Sequence, residues 1–295
     1  MPQKLIVFLF SLGWAILKFV PESLGRTIFR LIAGRVYRSN GRSVQQLRAN
    51  LKQVTGASNN ELESLTSLGV NSYFKYWYEA FVLHTWSEKK INSRFIMINR
   101  EKLAKLLAEE EKIILVLPHM GNWDAAAYWF TANYQPLTTV AERLKPIELY
   151  EKFVKFRNAL GVEVLPLAKG TYRTLSERLK TKRILALLAD RDLSASGIKV
   201  NYFRAVTSMP AGPATLAWDE AAVLVPIKIF NPGDDRIFAE VQEVLRIDRT
   251  LDKQTAIGEL TQKMAATFEN MVRENPTDWH LMQKVWSEVK PIKMG

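Results

Sequence analysis

The strongest candidate for chemistry in the sequence is a histidine followed five residues later by an aspartate, in the stretch VLPHMGNWDAAAYW (116–129). His119 is one of only three histidines in 295 residues, and Asp124 is the aspartate. A carboxylate that accepts a hydrogen bond from one ring nitrogen fixes the imidazole tautomer and leaves the other nitrogen free as a general base. This pair is the base and orienting half of a catalytic triad, but the stretch contains no serine or cysteine nucleophile. A substrate hydroxyl could take the place of the nucleophile.

The two side chains can meet only if a break in secondary structure lies between them. On one continuous helix, positions five apart are roughly 140° out of phase. Residues 113–117 (IILVL) form a short, wholly apolar run that is typical of a buried parallel strand. Asn122 is a plausible N-cap for a helix that begins at Trp123, and Asp124 then lies in a first turn that favours a carboxylate. We therefore expect His119 in the strand-to-helix loop, at the carboxyl edge of a sheet where ligands bind.

From residue 92 onward, strand-like and helix-like segments alternate, which is typical of an α/β domain with a largely parallel sheet. Apolar runs predict strands at 113–117, 137–141, 162–165, 184–189 and 223–230, with an added strand within 238–247. Helices are predicted over 123–134, 146–160, 171–180 and 210–221, and a final helical region over 252–287. The predicted fold class is α/β, with a central, mostly parallel sheet flanked by helices.

The N-terminal part is expected to be helical and to contact a membrane. Residues 5–20 read LIVFLFSLGWAILKFV, an apolar run shorter than the roughly 20 residues of a spanning helix. Lys4, Ser11 and Lys18 recur every seven residues and place a narrow polar stripe on it. We interpret this segment as an interfacial helix lying in one leaflet, followed by basic residues that an anionic surface attracts: Arg26, Arg30, Arg35, Arg38 and Arg42. A buried first helix is the alternative, and a signal peptide is disfavoured because no small-residue cleavage site follows.

No linker or internal repeat divides the chain. Amphipathic and aromatic-rich helical patterns fill residues 40–85, before the alternating segments begin. We predict a helical membrane-associating region over residues 1–90 and an α/β core over residues 91–295, within a single domain.

Composition restricts the kinds of partner and of chemistry. A net charge of +11 favours an anionic partner, which could be nucleic acid, anionic lipid or a phosphorylated substrate. No helix-turn-helix, OB-type or RNP pattern is present, so we expect an anionic membrane surface rather than nucleic acid. There is no cysteine, which removes thiol nucleophiles, thiolate metal sites and disulfides. The three histidines lack H-E-x-x-H spacing, so we expect no metal and no cofactor.

Several blocks beyond the H-x4-D spacing resemble, in their order, the bacterial lipid A biosynthesis acyltransferase family. They are PHMGNWDAA, TTVAERLKP, LADRDLSASGIKV, MPAGPATLA and DWHLMQKVW. H-x4-D alone resembles the wider glycerolipid acyltransferase superfamily and is a weak signal, whereas the ordered blocks extend over most of the chain. They are most similar to the actinobacterial branch, the phosphatidylinositol mannoside acyltransferases. The sequence departs from that pattern in YFRAVTSMPAGPA, where Arg204 and Ala205 stand in place of a Gly-Glu pair.

The resemblance implies a glycerolipid acyltransferase-like fold and a role for each site residue. His119 would deprotonate a sugar hydroxyl with Asp124 as its partner, and the hydroxyl would attack the thioester carbonyl of an acyl donor. Backbone N–H groups near Gly121 and Asn122 are candidates to bind the resulting oxyanion. The residues implied in binding the acceptor are Glu142, Arg157, Asp190, Arg191 and Asp192. His280, in the last block, is interpreted as structural.

The resemblance also implies substrates and a location. The donor would be a long-chain acyl-CoA, or an acyl carrier protein, and the acceptor a mannose hydroxyl of a phosphatidylinositol mannoside. The enzyme would lie peripherally on the cytoplasmic face of the inner (plasma) membrane. The alternatives are transfer to another glycolipid or a lysophospholipid, thioester hydrolysis, and a membrane-binding or nucleic-acid-binding protein without enzymatic activity.

Overall fold

The computed structural model describes residues 3–143, 145–192, 194 and 196–293, without the side chains of Gln3, Lys4 and Ile6. The helices are α1 (Gln3–Leu17), α2 (Glu22–Ser39), α3 (Arg42–Thr55), α4 (Asn59–Val82), α5 (Glu88–Arg94), α6 (Arg100–Ala108), α7 (Trp123–Asn133), α8 (Ile147–Ala159), α9 (Thr171–Lys180), α10 (Gly212–Glu220) and α11 (Lys253–Glu274). The strands are β1 (Phe95–Ile98), β2 (Ile113–Leu117), β3 (Leu137–Ala141), β4 (Val162–Pro166), β5 (Ile184–Leu188), β6 (Ile198–Tyr202), β7 (Ala205–Met209), β8 (Val223–Phe230) and β9 (Ile237–Val241).

A seven-stranded sheet in the order β1-β9-β8-β2-β5-β3-β4 forms the centre of the molecule. All neighbouring strands are parallel except β8 and β9. Every residue of β2 is buried, because helices cover both faces of a parallel sheet and leave its central strands without a solvent-facing side. The predicted α/β fold with a mostly parallel, helix-flanked sheet is confirmed.

The structure differs from the predicted elements in three places. β1, α6 and the separate β6–β7 hairpin were not predicted from periodicity. The strand expected within 238–247 is the shorter β9. The last helix ends at Glu274 rather than continuing to residue 287, because Pro276 disfavours the helical conformation of Asn275 before it.

The β6–β7 hairpin contains the departure from the family pattern. Phe203 and Arg204 form its two-residue turn with φ of 50° and 60°, a left-handed conformation that favours glycine. Phe203 is buried against Trp279 and Trp286, so tertiary packing supplies the stabilisation that a glycine would otherwise provide.

The first helix is neither fully buried nor detached. Phe10 and Trp14 pack against Trp77 of α4 and Phe153 of α8. The opposite face of α1, the turn after it and α2 expose large apolar side chains, among them Phe8, Leu9, Ile16, Phe19, Leu24 and Leu31. Within the described part of the chain, no helix combines the length and the apolar character needed to cross a bilayer.

Candidate active site

His119 lies at the carboxyl edge of the sheet, two residues beyond β2. β2 and β5 are hydrogen-bonded parallel neighbours with Leu117 opposite Leu188. The N–H of Ala189 donates to the carbonyl of Leu117 at 2.9 Å, so the pairing continues past both strands. Two residues further along the same register, His119 lies beside Asp190.

The carboxylate of Asp190 fixes the imidazole of His119. Its Oδ1 lies 2.5 Å from Nδ1 of the ring, and its Oδ2 accepts the backbone N–H of His119 and the indole N–H of Trp279, each at 2.9 Å. Burial raises the pKa of Asp190, but these donors outweigh it and hold the pKa below its usual value. An ionised carboxylate can only accept, so Nδ1 carries the ring proton and Nε2 presents a free lone pair.

Asp124 does not make the hydrogen bond to His119 that its spacing predicted. Its Oδ1 accepts from Nε of Arg157 at 2.7 Å, and its Oδ2 accepts from Nη2 of Arg157 at 3.2 Å and from the hydroxyl of Tyr76 at 2.9 Å. The first turn of α7 directs this side chain toward α8 and α4, whereas the adjoining strand end supplies the carboxylate for His119. Burial lowers the pKa of Arg157, but Asp124 outweighs it and the net change is upward. In this geometry Asp124 positions Arg157.

The segment after α11, residues 275–286, crosses the site and is called here the C-terminal strap. Its backbone binds the His119 loop: the N–H of His280 donates to the carbonyl of His119 at 2.8 Å. The imidazole of His280 is buried and lines the same cavity as His119. The sequence alone predicts a structural role for His280. The block DWHLMQKVW is the signal that could have suggested its place in the cavity, but it is the strap that brings it there.

The turn after His119 requires glycine. Gly121 has φ of +61°, and a Cβ there would lie 2.4 Å from the carbonyl oxygen of Ile229. Its N–H donates to the carbonyl of Asp278 at 2.9 Å, so it is not free to bind an oxyanion as expected. Asn122 caps α7 as predicted, accepting the N–H of Ala125 at 2.9 Å.

A cavity of about 280 Å³ opens in front of His119. Predicted site residues on its wall are Glu142, which is exposed just after β3, Arg157 and Arg191. Asp192 lies outside this wall, in a neighbouring cavity, and its Oδ1 accepts the N–H of Ser194 at 2.9 Å. Asp190 is only 1% exposed and its oxygens are occupied, so it orients His119 and does not reach an acceptor. The substrate contacts of the other residues stay predictions.

A second, almost wholly apolar cavity of about 90 Å³ lies between α7 and the sheet. It shares Trp123, Val140, Arg157 and Leu188 with the cavity of His119. The stacked rings of Phe95 and Trp129, 4.7 Å apart, also line it. The arrangement places a chamber with a base and charged side chains next to an apolar chamber, which suits a substrate that joins a reactive polar group to a hydrocarbon chain.

Among the residues that the structure describes, no three His, Cys, Asp or Glu side chains converge in a way that could hold a metal ion. The expectation of a reaction without metal or cofactor stays a prediction.

The burial of His280 predicts acid sensitivity of the fold. Burial, and then the nearby charges of His119 and Lys75, lower its pKa from 6.5 to about 3. His280 binds a proton below pH 6.5 in the unfolded chain, but only below about pH 3 in the folded chain. Between these values acid therefore favours the unfolded state, and the free energy of unfolding falls as pH falls. We expect His280→Gln to flatten the fall in unfolding free energy by up to about 1.4 kcal/mol per pH unit. Urea titrations across that range test this, and His84→Gln, at an exposed position, should change the slope less.

Comparisons with known proteins identify the family of this chain. A family model described as bacterial lipid A biosynthesis acyltransferase matches residues 1–288. A protein of Mycolicibacterium smegmatis named phosphatidylinositol mannoside acyltransferase is 37% identical over 284 residues, which cover 94% of this chain and 90% of that protein. A protein of the same name from Mycobacterium tuberculosis is 36% identical over 283 residues, 94% of this chain and 87% of its own length. The chain therefore belongs to the bacterial lipid A biosynthesis acyltransferase family, and it is an acyltransferase.

Proposed function

We propose that the protein transfers a long-chain acyl group from acyl-CoA to a mannose hydroxyl of a phosphatidylinositol mannoside. The observation that carries the proposal is the buried carboxylate of Asp190 at Nδ1 of His119, which leaves Nε2 with a free lone pair on a residue that lines the cavity. The names of the similar mycobacterial proteins support this acceptor. An acyl carrier protein is the alternative donor.

The chemistry needs one base and no covalent acyl-enzyme intermediate. Nε2 of His119 accepts the hydroxyl proton as the hydroxyl oxygen attacks the thioester carbonyl. Asp190 stabilises the imidazolium that forms, as the carboxylate of a catalytic triad does. When the tetrahedral intermediate collapses, the carbon–sulfur bond breaks and the imidazolium returns the proton to the thiolate. Acceptor hydroxyls would contact Glu142 and Arg157, which border the same chamber.

The acyl chain would occupy the apolar cavity beneath α7. This cavity adjoins the chamber of His119, so a thioester carbonyl at His119 can direct its hydrocarbon tail between α7 and the sheet. Burying a methylene group contributes about 0.8 kcal/mol, so each methylene group that the cavity holds strengthens the binding of the chain.

Filling that cavity is expected to shift the preference toward short chains. Ala127 lines it from α7, and Ala127→Phe would displace at least two methylene groups. We expect turnover with palmitoyl-CoA to fall at least about tenfold relative to octanoyl-CoA. Ala159→Phe, at an exposed position on α8, is the control. An unchanged ratio of the two rates would place the acyl chain elsewhere.

We further propose that the apolar faces of α1 and α2 rest on the cytoplasmic face of the inner (plasma) membrane. Phe8 and Phe19 are 58% and 79% exposed, and the exposed arginines Arg30, Arg35 and Arg38 follow on α2. Each basic residue near an anionic surface adds about 1 kcal/mol to binding.

Removing the exposed aromatic side chains is expected to weaken membrane binding. The double variant Phe8→Ser/Phe19→Ser should bind phosphatidylglycerol vesicles at least about tenfold more weakly, because each phenylalanine contributes up to about 3 kcal/mol when buried. Val206→Ser, an equally exposed position on the β6–β7 hairpin, should bind like the wild type. Sedimentation with vesicles at low and high salt provides the measurement, and equal binding of all three proteins would contradict this surface.

A transfer assay tests the proposed reaction. Purified protein would receive radiolabelled palmitoyl-CoA with a phosphatidylinositol mannoside, a lipid A precursor, a lysophospholipid or water alone. Label on the mannoside supports the proposal. Label on another acceptor would show that the mannoside is not the acceptor. Label only in free fatty acid would indicate a thioester hydrolase.

A further inference from the structure

A chain of hydrogen bonds connects two residues of the C-terminal strap, Asp278 and His280, through Ser72 of α4. Asp278 accepts the hydroxyl of Ser72 at 2.6 Å through Oδ1 and the backbone N–H of Asn231 at 2.8 Å through Oδ2. The same Ser72 oxygen lies 3.0 Å from Nε2 of His280. Asp278 and His280 are each only 5% exposed, so these groups depend on one another for their hydrogen bonds.

The direction of these bonds determines the tautomer of His280. Ser72 has a single hydroxyl proton, and it donates that proton to Oδ1 of Asp278. The Ser72 oxygen must then accept from His280, so Nε2 carries the ring proton. Nδ1 is left as a buried acceptor without a partner among the described residues.

Nδ1 of His280 is a buried acceptor without a partner among the described residues, and such an acceptor is complementary to a hydrogen-bond donor. A buried polar atom without a partner is costly, and the ring belongs to the same cavity as His119. The mannoside acceptor carries hydroxyl donors, whereas a thioester group carries none. The His280 backbone is bonded to His119, so a hydroxyl held at Nδ1 is held in fixed relation to the base.

We propose that Asp278 and Ser72 are positioning residues that hold His280 as its Nε2–H tautomer, so that Nδ1 accepts a hydrogen bond from a hydroxyl of the acceptor. This inference rests on the proposed function for the identity of the acceptor, and on the hydrogen bonds alone for the tautomer.

The ¹⁵N NMR signals of the two ring nitrogens show which of them carries the proton. The chain has three histidines, so ¹⁵N-histidine labelling gives three resolvable rings: His84, His119 and His280. We expect His280 to be neutral with the proton on Nε2 at pH 7. Addition of phosphatidylinositol mannoside in detergent should shift the signal of its Nδ1. A wild-type ring protonated on Nδ1 would overturn the proposal.

Asp278→Asn is expected to reverse this tautomer. The amide oxygen must stay at the Asn231 N–H, so the amide NH₂ faces Ser72. Ser72 would then donate to Nε2, and Nδ1 would carry the proton. We expect the KM for the mannoside to rise about tenfold, as loss of one hydrogen bond does, with the KM for palmitoyl-CoA unchanged. Glu220→Gln replaces another buried carboxylate, remote from this cavity, and should change neither the tautomer nor the KM.

A second pair of variants keeps the test valid if Asp278→Asn fails to fold. Ser72→Thr retains the hydroxyl and should preserve the Nε2–H tautomer and the mannoside KM, whereas Ser72→Ala should lose both. A retained tautomer in Asp278→Asn and Ser72→Ala, or a reversed tautomer with no change in mannoside binding, would overturn the proposal. Absence of transfer to the mannoside by the wild type would refute the proposed function instead. The tautomer of His280 would still be tested by its ¹⁵N signals, which do not depend on the acceptor.

Discussion

Asp190→Asn is expected to lower the turnover number by about a thousandfold or more, the size of effect seen when a triad histidine is held in the wrong tautomer. Oδ2 of Asp190 accepts two N–H groups, from the His119 backbone and from Trp279, so an asparagine oxygen must remain there. Its NH₂ group then faces Nδ1 of His119. The ring can satisfy that donor only by moving its proton to Nε2, the atom that must act as the base.

Steady-state kinetics with palmitoyl-CoA and the mannoside measure this loss, and ¹⁵N signals of His119 report the tautomer in the same variant. Asp124→Asn is the informative comparison, because Asp124 bonds to Arg157 and Tyr76. We expect that variant to retain the His119 tautomer whatever its effect on acceptor binding. An Asp190→Asn enzyme with wild-type turnover would show that Nδ1 of His119 needs no carboxylate. A change of the His119 tautomer in Asp124→Asn would indicate that Asp124 is the partner of His119, as the spacing predicts.

His119→Ala is expected to lower turnover by at least about a hundredfold, because it removes the general base. The His119 side chain is 26% exposed at the cavity, so it is not part of the fully buried core. Asp190 keeps the N–H of residue 119 and that of Trp279, and we expect a stability loss of only about 1–3 kcal/mol from its missing partner.

Three measurements test that variant: turnover, urea unfolding and binding of palmitoyl-CoA. Binding should be unchanged, since the acyl chain is expected in the apolar cavity beneath α7. His84→Ala controls for the loss of an imidazole, because His84 lies outside the site. A folded His119→Ala protein with near wild-type turnover would refute base catalysis by this residue.

Much of the architecture follows from local patterns. The apolar runs of β2 and β8 predicted buried parallel strands with the observed bounds, since a strand covered on both faces has no polar side. Asn122 was recognisable as a cap because its short side chain satisfies a first-turn N–H. β1 was missed because it has only four residues and no alternation of apolar and polar types. Strand β6 (IKVNY) does alternate, so the hairpin could have been predicted from this pattern.

Some residues of the site could also be predicted from local patterns, whereas others were placed there only by the tertiary structure. Residue type and spacing identified His119 and placed it at a strand end, since both depend only on nearby residues. The sequence also carried the ordered blocks on which the family assignment rests. The carboxylate partner of His119 could not be found from nearby residues, because the neighbour of β2 in the sheet is β5, about 70 residues along the chain. Strand order and register brought Asp190 rather than Asp124 to the ring, and the strap after Pro276 brought His280 to the cavity. Such contacts join residues distant in sequence through sheet pairing and core packing, and local chemistry alone does not specify them.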